Sequence, residues 1–369
     1  MEKNQKKLIF FMPSMEGGGV EKNLIIVSNY VSQYIKDVSL ITFDDTFNKY
    51  FKKTINIINV NTKKKSKHSK YYKYIQCLWL LFKEYLVNKN ILVFTFQANI
   101  YAIILSYFFN FKIISRSNSS PSGWSKNFLK NHIFKFFIKK ANSIVVNSID
   151  FKKEFKKKFL VNTTLIYNPL NKNEVIRKSK FKKKKLNLFF KSKDFKIINI
   201  ARLTDQKDHL TILKALNLIV KKLNFKMLII GYGNQKNNLE KIILNYNLKS
   251  HVKIIDNRNN PYPYLKNSDL FILSSKYEGL PNVILEAQAL KKYVISANCP
   301  TGPKEILMNG KLGGLFKVGD YKKLASMILN YNKNKKKYKK QIDLAYKYLN
   351  RFDYELNCKK YLFLIKKHL

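Results

Sequence analysis

The sequence is poor in the residues that staple small or secreted folds. Cys77, Cys299 and Cys358 are its only cysteines in 369 residues. They lie far apart, with no C-x-x-C pair and no histidine at zinc spacing. That argues against a disulfide framework or a structural metal, and it points to a reducing compartment, the cytoplasm. Long apolar runs are missing too. The longest stretch, "ANIYAIILSYFFNF", carries Asn and Ser and is too short to span a bilayer. The N-terminal "MEKNQKKLIFFMPSM" has a basic start, but its apolar run is brief and ends at a proline, so it reads as a first strand and not a signal peptide. Metal-ligand patterns are scarce. "FDDTF" (43–47) holds the one pair of adjacent aspartates, lacks D-x-D spacing and reads as a strand-end loop. His132, His209 and His251 have no partner at ligand spacing and read as structural or exposed.

Acids are the other shortage: 23 Asp+Glu stand against 71 Lys+Arg, a formal net charge of +48. Such a charge attracts nucleic acid, anionic lipid and anionic substrates alike. It also has a plain competing account, because Lys comes with abundant Asn, Ile, Phe and Tyr, the drift of an AT-rich coding sequence. What is plentiful is apolar material. At 46% hydrophobic residues the chain can fill two cores, which excludes disorder and fits two domains of ordinary size.

Short apolar runs alternate with amphipathic ones along the first half. Candidate strands are 7–11, 38–43, 55–60, 91–96, 112–115, 143–148 and 164–167. Val, Ile and Phe dominate them with little in-out alternation, as in strands buried on both faces of a parallel sheet. Residues 171–195, lysine-dense with one small apolar island, read as a basic linker; a lipid- or nucleic-acid-binding arm is the alternative. The alternation then restarts with strands at 195–203, 226–233, 252–256, 269–275, 293–298 and 313–316, and a helix from about Lys207 to Leu223. Two β/α halves imply two Rossmann-like domains, 1–170 and 196–369, the last helix packing back on the first.

With 12 glycines in the chain, their placement is informative. "MEGGGVEKNL" puts three of them between the first strand and a helix, where a close backbone approach or a phosphate contact is favoured. A tight turn fits equally. "IARLTDQKDHL" sets Arg202 and Lys207 at a strand's carboxyl end, the edge where open α/β sheets bind ligands. There they offer a guanidinium fork and a point charge to a diphosphate. In "SSKYEGLPNVILEAQAL", Glu278 sits in a loop, Pro281 opens a helix and Glu286 lies about one turn inside it. The amides near Asn282 and Val283 can cradle an anion, with one carboxylate on each side to hold sugar and ribose hydroxyls. A helix-start acid plus a solvent-facing Glu is the bland alternative.

"YEGLPNVILEA" resembles the E-x7-E motif of family-four retaining glycosyltransferases of the GT-B fold. The likeness runs over 259–316, extends to "ARLTDQKD", "IYNPLN" and the "GGGVEKN" loop, and so covers most of the chain. It departs from the family at Ala201, where glycine is usual, and near Asp256, where glycine is frequent. The resemblance implies two Rossmann-like domains facing across a cleft and sugar transfer from a nucleotide diphosphate donor. It implies that Arg202 and Lys207 contact the diphosphate, Glu278 the donor sugar and Glu286 the ribose. The backbone of Leu280, Pro281, Asn282 and Val283 would meet phosphate and sugar. Gly18 and Gly19 would close on the diphosphate, and Gly231 with Tyr232 and Gly233 would lie near the base. "CPTGPKEIL" (299–307) is similar to bacterial capsule and lipopolysaccharide enzymes, which suggests a UDP-linked hexose or N-acetylhexosamine.

Neutralising a leaving diphosphate needs positive charge and not two flanking carboxylates, so no metal or other cofactor is expected, and Glu278 is a positioning residue. An acceptor, a glycan or lipid-linked glycan, would meet the first domain's strand ends at Gln97, Arg116 and Asn118, with Arg116 toward an acceptor phosphate. Residues 125–140 read as a helix with Phe128, Leu129, Ile133, Phe136 and Phe137 interleaved with Lys126, Lys130, Lys135, Lys139 and Lys140. Part of that apolar set covers the sheet; the excess suits an anionic membrane surface on the cytoplasmic side. Two rivals remain: a basic nucleic-acid-binding protein, for which no module is visible, and a GT-B epimerase or phosphorylase.

Overall fold

The computed structural model describes residues 6–60, 68–118, 128–181, 189, 194–256 and 260–369. The chain divides into two compact units, Met1–Pro169 with Tyr354–Leu369, and Leu170–Asp353. Each is built on one parallel sheet, the arrangement of a GT-B fold.

The first unit's strands are β1 (Lys7–Phe11), β2 (Val38–Thr42), β3 (Ile55–Asn59), β4 (Ile91–Thr95), β5 (Lys112–Ser117), β6 (Ser143–Val146) and β7 (Thr164–Leu165), in the order β3-β2-β1-β4-β5-β6-β7. Its helices are α1 (Gly19–Val31), α2 (Lys70–Val87), α3 (Asn99–Phe109), α4 (Phe128–Ile138), α5 (Ile149–Phe159) and, from the end of the chain, α14 (Tyr354–His368). Strand side chains alternate between the sheet's faces, and both faces are covered. Leu8, Phe10, Leu92 and Phe94 pack with Leu24, Val27 and Val31 of α1 and with Tyr361, Leu364 and Ile365 of α14. Ile9, Phe11 and Val93 pack on the other side with Cys77 and Leu81 of α2, Ile103 of α3 and Phe151, Phe155 and Phe159 of α5.

The second unit orders its strands β10-β9-β8-β11-β12-β13. They are β8 (Phe195–Ile200), β9 (Phe225–Ile230), β10 (Val252–Ile255), β11 (Leu270–Leu273), β12 (Tyr293–Ala297) and β13 (Gly314–Phe316). Its helices are α6 (Lys172–Ser179), α7 (His209–Ile219), α8 (Lys236–Asn245), α9 (Tyr262–Lys266), α10 (Asn282–Ala289), α11 (Pro303–Ile306), α12 (Tyr321–Lys333) and α13 (Lys339–Tyr348). Within the segment read as a linker, residues 172–179 form α6, which packs on α9 and α10. Asn171 caps it by accepting from the Glu174 N–H at 2.9 Å, and Glu174 pairs with Lys178 one turn on. The rest of that segment lies outside the described residues, apart from 180, 181, 189, 194 and 195. The helix expected from Lys207 begins at His209, because Asp208 takes a left-handed φ of 45° and caps it, accepting from the Thr211 hydroxyl at 2.6 Å.

Arg116 corrects one expectation. It does not reach a strand-end surface; it is fully buried. Its Nε–H donates to the Tyr361 hydroxyl at 2.9 Å and its Nη2 to Asn168 Oδ1 at 2.7 Å, while the guanidinium lies 5.1 Å from the Phe96 ring centroid. The reason is α14, which covers this side of the sheet and brings Tyr361 over β5. A buried cation without a carboxylate depends on every neutral acceptor it has. Tyr361→Phe, which keeps the ring and removes the acceptor, should therefore cost about 1–3 kcal/mol in denaturant unfolding. An unchanged midpoint would show that Arg116 does not rely on the contact.

Candidate active site

The second unit gathers its polar chemistry where three adjacent strands end. β8, β11 and β12 are parallel neighbours, so the loops after them meet at one edge of the sheet. After β8 a short turn, Asp205–Lys207, carries Lys207. After β11 comes the loop with Glu278, and after β12 the loop Asn298–Gly302. The first two are strapped together: the Lys276 N–H donates to Gln206 O at 2.8 Å, Gln206 Nε2 to Tyr277 O at 2.9 Å, and Ser274 Oγ to Lys207 O at 2.9 Å. The last two are strapped as well. The Glu278 N–H donates to Pro300 O at 2.8 Å, and the Thr301 N–H and hydroxyl donate to Glu278 O at 3.0 and 3.1 Å.

These straps fix one carboxylate. Glu278 Oε1 accepts from Lys207 Nζ at 2.6 Å and from Ser275 Oγ at 2.6 Å. Both charged side chains are largely shielded, 14% exposed for Lys207 and 8% for Glu278. Glu278 Oε2 has no protein partner among the described residues, and the ammonium of Lys207 has only the one. The site thus holds a positioned carboxylate oxygen and a lysine with two further N–H donors. Burial and the Glu278 charge push the nearby Cys299 thiol up to about 12, so it stays protonated and inert.

Pro281, extended and buried, sets the start of α10. The amides of Asn282 and Val283 lie in its first turn, where no earlier helical carbonyl faces them. Leu280 and Pro281 turn their side chains inward, so what they present to the site is backbone. Glu286 is buried one turn in and accepts from the Tyr262 hydroxyl of α9 at 3.2 Å. Arg202 is exposed just past β8. Gly231, after β9, has a conformational cause: a Cβ there would stand 1.8 Å from Ala201 O. Gly302 has the same one, since its Cβ would meet Gly279 O at 1.8 Å, and its φ is +61°.

The first unit treats its candidates differently. Gly18 caps α1, and its N–H donates to Glu21 Oε2 at 3.0 Å, while Glu21 Oε1 takes the Glu16 N–H at 3.0 Å. Gly19 begins the helix. Gln97 Oε1 accepts from the Ser14 N–H at 2.8 Å, and Asn118 Nδ2 donates to Phe96 O at 2.6 Å, so both side chains tie strand ends together. Asp44 of the "FDDTF" loop accepts from Lys73 at 2.8 Å and from the Met15 N–H at 3.2 Å.

Ser275, Thr301, Gly302 and Tyr262 complete the second unit's site, and the sequence alone did not single them out. Gly302 had a signal, a glycine directly before the helix-opening Pro303. The others had none, because a serine or threonine in a loop is ordinary.

A loop-borne acid ahead of a short helix, an acid within that helix and a basic turn from the neighbouring strand thus meet at one edge of the second unit's sheet. Residues 180–348 match the family described as Glycosyl transferases group 1. An uncharacterized glycosyltransferase of Methanocaldococcus jannaschii is 37% identical over 180 residues, which are 47% of this chain and 44% of that protein, so the match spans less than half of its length. An N-acetylgalactosaminyltransferase of Campylobacter jejuni, named for a diphospho-undecaprenol-linked acceptor, is 24% identical over 97% of this chain and 99% of its own. Among solved structures, Anabaena HepE in complex with UDP-glucose superposes with a TM-score of 0.79, at 18% identity, over 98% of this chain and 100% of its own. The protein is a glycosyltransferase of GT-B fold, related to bacterial polysaccharide-biosynthesis enzymes.

His209 gives this region a pH dependence. Burial, assisted by the Lys207 charge, lowers its pKa from 6.5 to about 4, and its Nε2 pairs with Asn199 Oδ1 at 3.1 Å. Asn199 Nδ2 donates to Ile272 O, so its Oδ1 accepts and the ring is the neutral Nε2–H form. The unfolded chain then binds more protons than the folded one below pH 6.5. Stability should be full above that pH and fall as pH drops toward about 4, by on the order of 3 kcal/mol. His209→Leu should flatten that part of a melting-temperature profile; an unaltered slope would remove His209 as its source.

Proposed function

We propose that the protein is a retaining glycosyltransferase that moves a hexose or N-acetylhexosamine from a UDP-linked donor to a glycan or lipid-linked glycan, in synthesis of a bacterial surface polysaccharide. The observation that carries this is the Lys207–Glu278 pair, held at the head of α10 by loops from three neighbouring strands. Glu278 positions the donor sugar through its uncommitted oxygen. As the bond from the anomeric carbon to the diphosphate breaks, negative charge grows on the leaving oxygens. Lys207, Arg202 and the first-turn amides of α10 answer that charge without moving far. Glu286, oriented by Tyr262, holds the ribose hydroxyls. The UDP-glucose bound by Anabaena HepE supports a UDP donor, and the acceptor named for the Campylobacter relative supports a lipid-linked one. Three free, buried cysteines support a cytoplasmic location.

A thermal-shift screen tests the donor. UDP and a UDP-sugar should raise the melting temperature, since a ligand of the folded state stabilises it. Glu286→Ala should lose the UDP shift. Glu278→Ala should keep it while losing transfer, and Lys207→Ala should cut kcat/KM by about tenfold or more, some 1.4 kcal/mol of transition-state stabilisation. If no UDP compound shifts the wild type, the donor assignment fails. Turnover without acceptor-dependent product would favour an epimerase or phosphorylase.

The reaction should need no metal. Among the described residues no three His, Cys, Asp or Glu side chains gather as a metal site, and the cations above can neutralise a diphosphate. Transfer should survive EDTA. An absolute loss restored by Mg²⁺ or Mn²⁺ would contradict this.

A further inference from the structure

The helices α2, α3, α4 and α5 cover one side of the first unit's sheet, and α2, α3 and α4 each turn two or more large apolar side chains outward. On α2, Tyr71, Ile75 and Trp79 recur every fourth residue and form one exposed stripe, with Leu86 and Val87 at its end. On α3, Tyr101, Tyr107 and Phe108 are exposed, Phe108 by 70%; on α4, Ile133 and Phe136 are. Rings link the helices into one surface. Tyr74 of α2 lies 5.9 Å from Tyr101 of α3, Phe82 lies 4.8 Å from Phe109, and Tyr107 lies 6.0 Å from Phe136 of α4. Monomeric proteins rarely leave so much contiguous apolar surface in water.

Lysines lie on this aromatic surface. Lys83 stands 5.5 Å from the Trp79 ring, and Lys140 stands 5.2 and 5.0 Å from those of Tyr107 and Phe136. Acids are all but missing: residues 46–149 contain one, Glu84, and it is paired with Lys7 at 2.9 Å. No described helix is long and apolar enough to cross a membrane, so this face can lie on a bilayer without entering it as a span.

We propose that the outer face of α2, α3 and α4 is a docking surface for an anionic lipid bilayer. Amphipathic rings suit the headgroup level, and lysine stems extend their ammonium groups to lipid phosphates. Nucleic acid would satisfy the cations but leave Ile75, Leu86 and Val87 without an apolar partner. The surface is wider than sequence periodicity suggested, which had pointed to 125–140 alone; of that stretch, residues 125–127 and the side chains of Phe128, Leu129 and Lys130 lie outside the described residues. The inference goes beyond the glycosyl-transfer reading and does not depend on it, because its test reads binding alone.

Flotation of the full chain with vesicles decides it. Phosphatidylcholine mixed with phosphatidylglycerol should carry the protein at low salt and release it at high salt, whereas phosphatidylcholine alone should not carry it. The sequence has two tryptophans, so Trp124→Phe leaves Trp79 as reporter, and its emission should move to the blue on binding. Ile75→Ser with Phe108→Ser and Phe136→Ser should weaken binding by about tenfold or more. Leu218→Ser with Leu244→Ser and Phe363→Ser, exposed apolar positions elsewhere, should leave it unchanged. The proposal is overturned if the wild type stays off anionic vesicles at low salt, if both triple variants lose binding equally, or if duplex DNA shifts Trp79 as lipid does.

Discussion

A parallel sheet must be covered on both faces, and most of this protein's chemistry follows from that requirement. Strand residues such as Leu8 and Ile9, neighbours in sequence, face opposite helix layers and are both buried. Buried charge has no place along such strands, and the lysines they carry, such as Lys7, Lys112 and Lys226, stand at their first or second position without being buried. Most other charge is left two locations: the loops at the strands' carboxyl ends and the outward surfaces of the helices. The candidate site occupies the first and the excess of lysine the second. Arg116 is the exception, and it is accommodated by neutral acceptors and a ring because α14 seals the sheet above it.

At the strand ends the governing feature is close backbone approach. Gly302 lies against Gly279 so tightly that any side chain would displace the loop, and Thr301 grips the Glu278 carbonyl from the same segment. The backbone of Glu278 is thereby fixed before its side chain makes any bond. Lys207 and Ser275 then fix the carboxylate. A shielded ion pair of this kind contributes little net stability, since desolvation offsets much of the attraction. Its value is geometric. Removing either partner leaves the other charge shielded and without its ion-pair partner. The ammonium still has N–H donors to spare beyond the one that Glu278 takes.

The strands and the site-bearing helix were legible in the sequence because their signals are local. Buried parallel strands read as Val, Ile and Phe runs, and a proline before an apolar segment marks a helix start. Glu278 and Glu286 stood out because acids are rare. What was illegible depends on contacts distant in sequence. Nothing near "KIISRS" announces that a tyrosine 245 positions onward will cover Arg116. Ser275 and Thr301 matter only because β11 and β12 are neighbours. The lysine-dense start of the expected linker forms α6 because Val175 and Ser179 are buried in the second unit, a fact of packing that composition hides. The α2 stripe escaped notice for the same reason: periodicity shows that a helix has two faces, and only the fold shows that both are apolar.

The charge of the chain then separates into two questions. A lysine-rich coding drift accounts for how many cations there are, but it does not account for where the acids are kept. Several of those that remain have specific partners: Glu21 closes a glycine loop, Asp208 caps α7, Asp320 caps α12, Asp269 holds the start of β8, Glu278 is held by Lys207 and Ser275, and Glu286 accepts from Tyr262. Residues 46–149, more than a quarter of the chain, keep one acid of 23, and the same stretch carries the outward rings of α2, α3 and α4. Drift toward lysine would thin acids without regard to which helix face bears aromatic rings. Depletion of one charge and exposure of apolar rings on a single helix layer are separate features, and the anionic, partly apolar surface proposed above suits both.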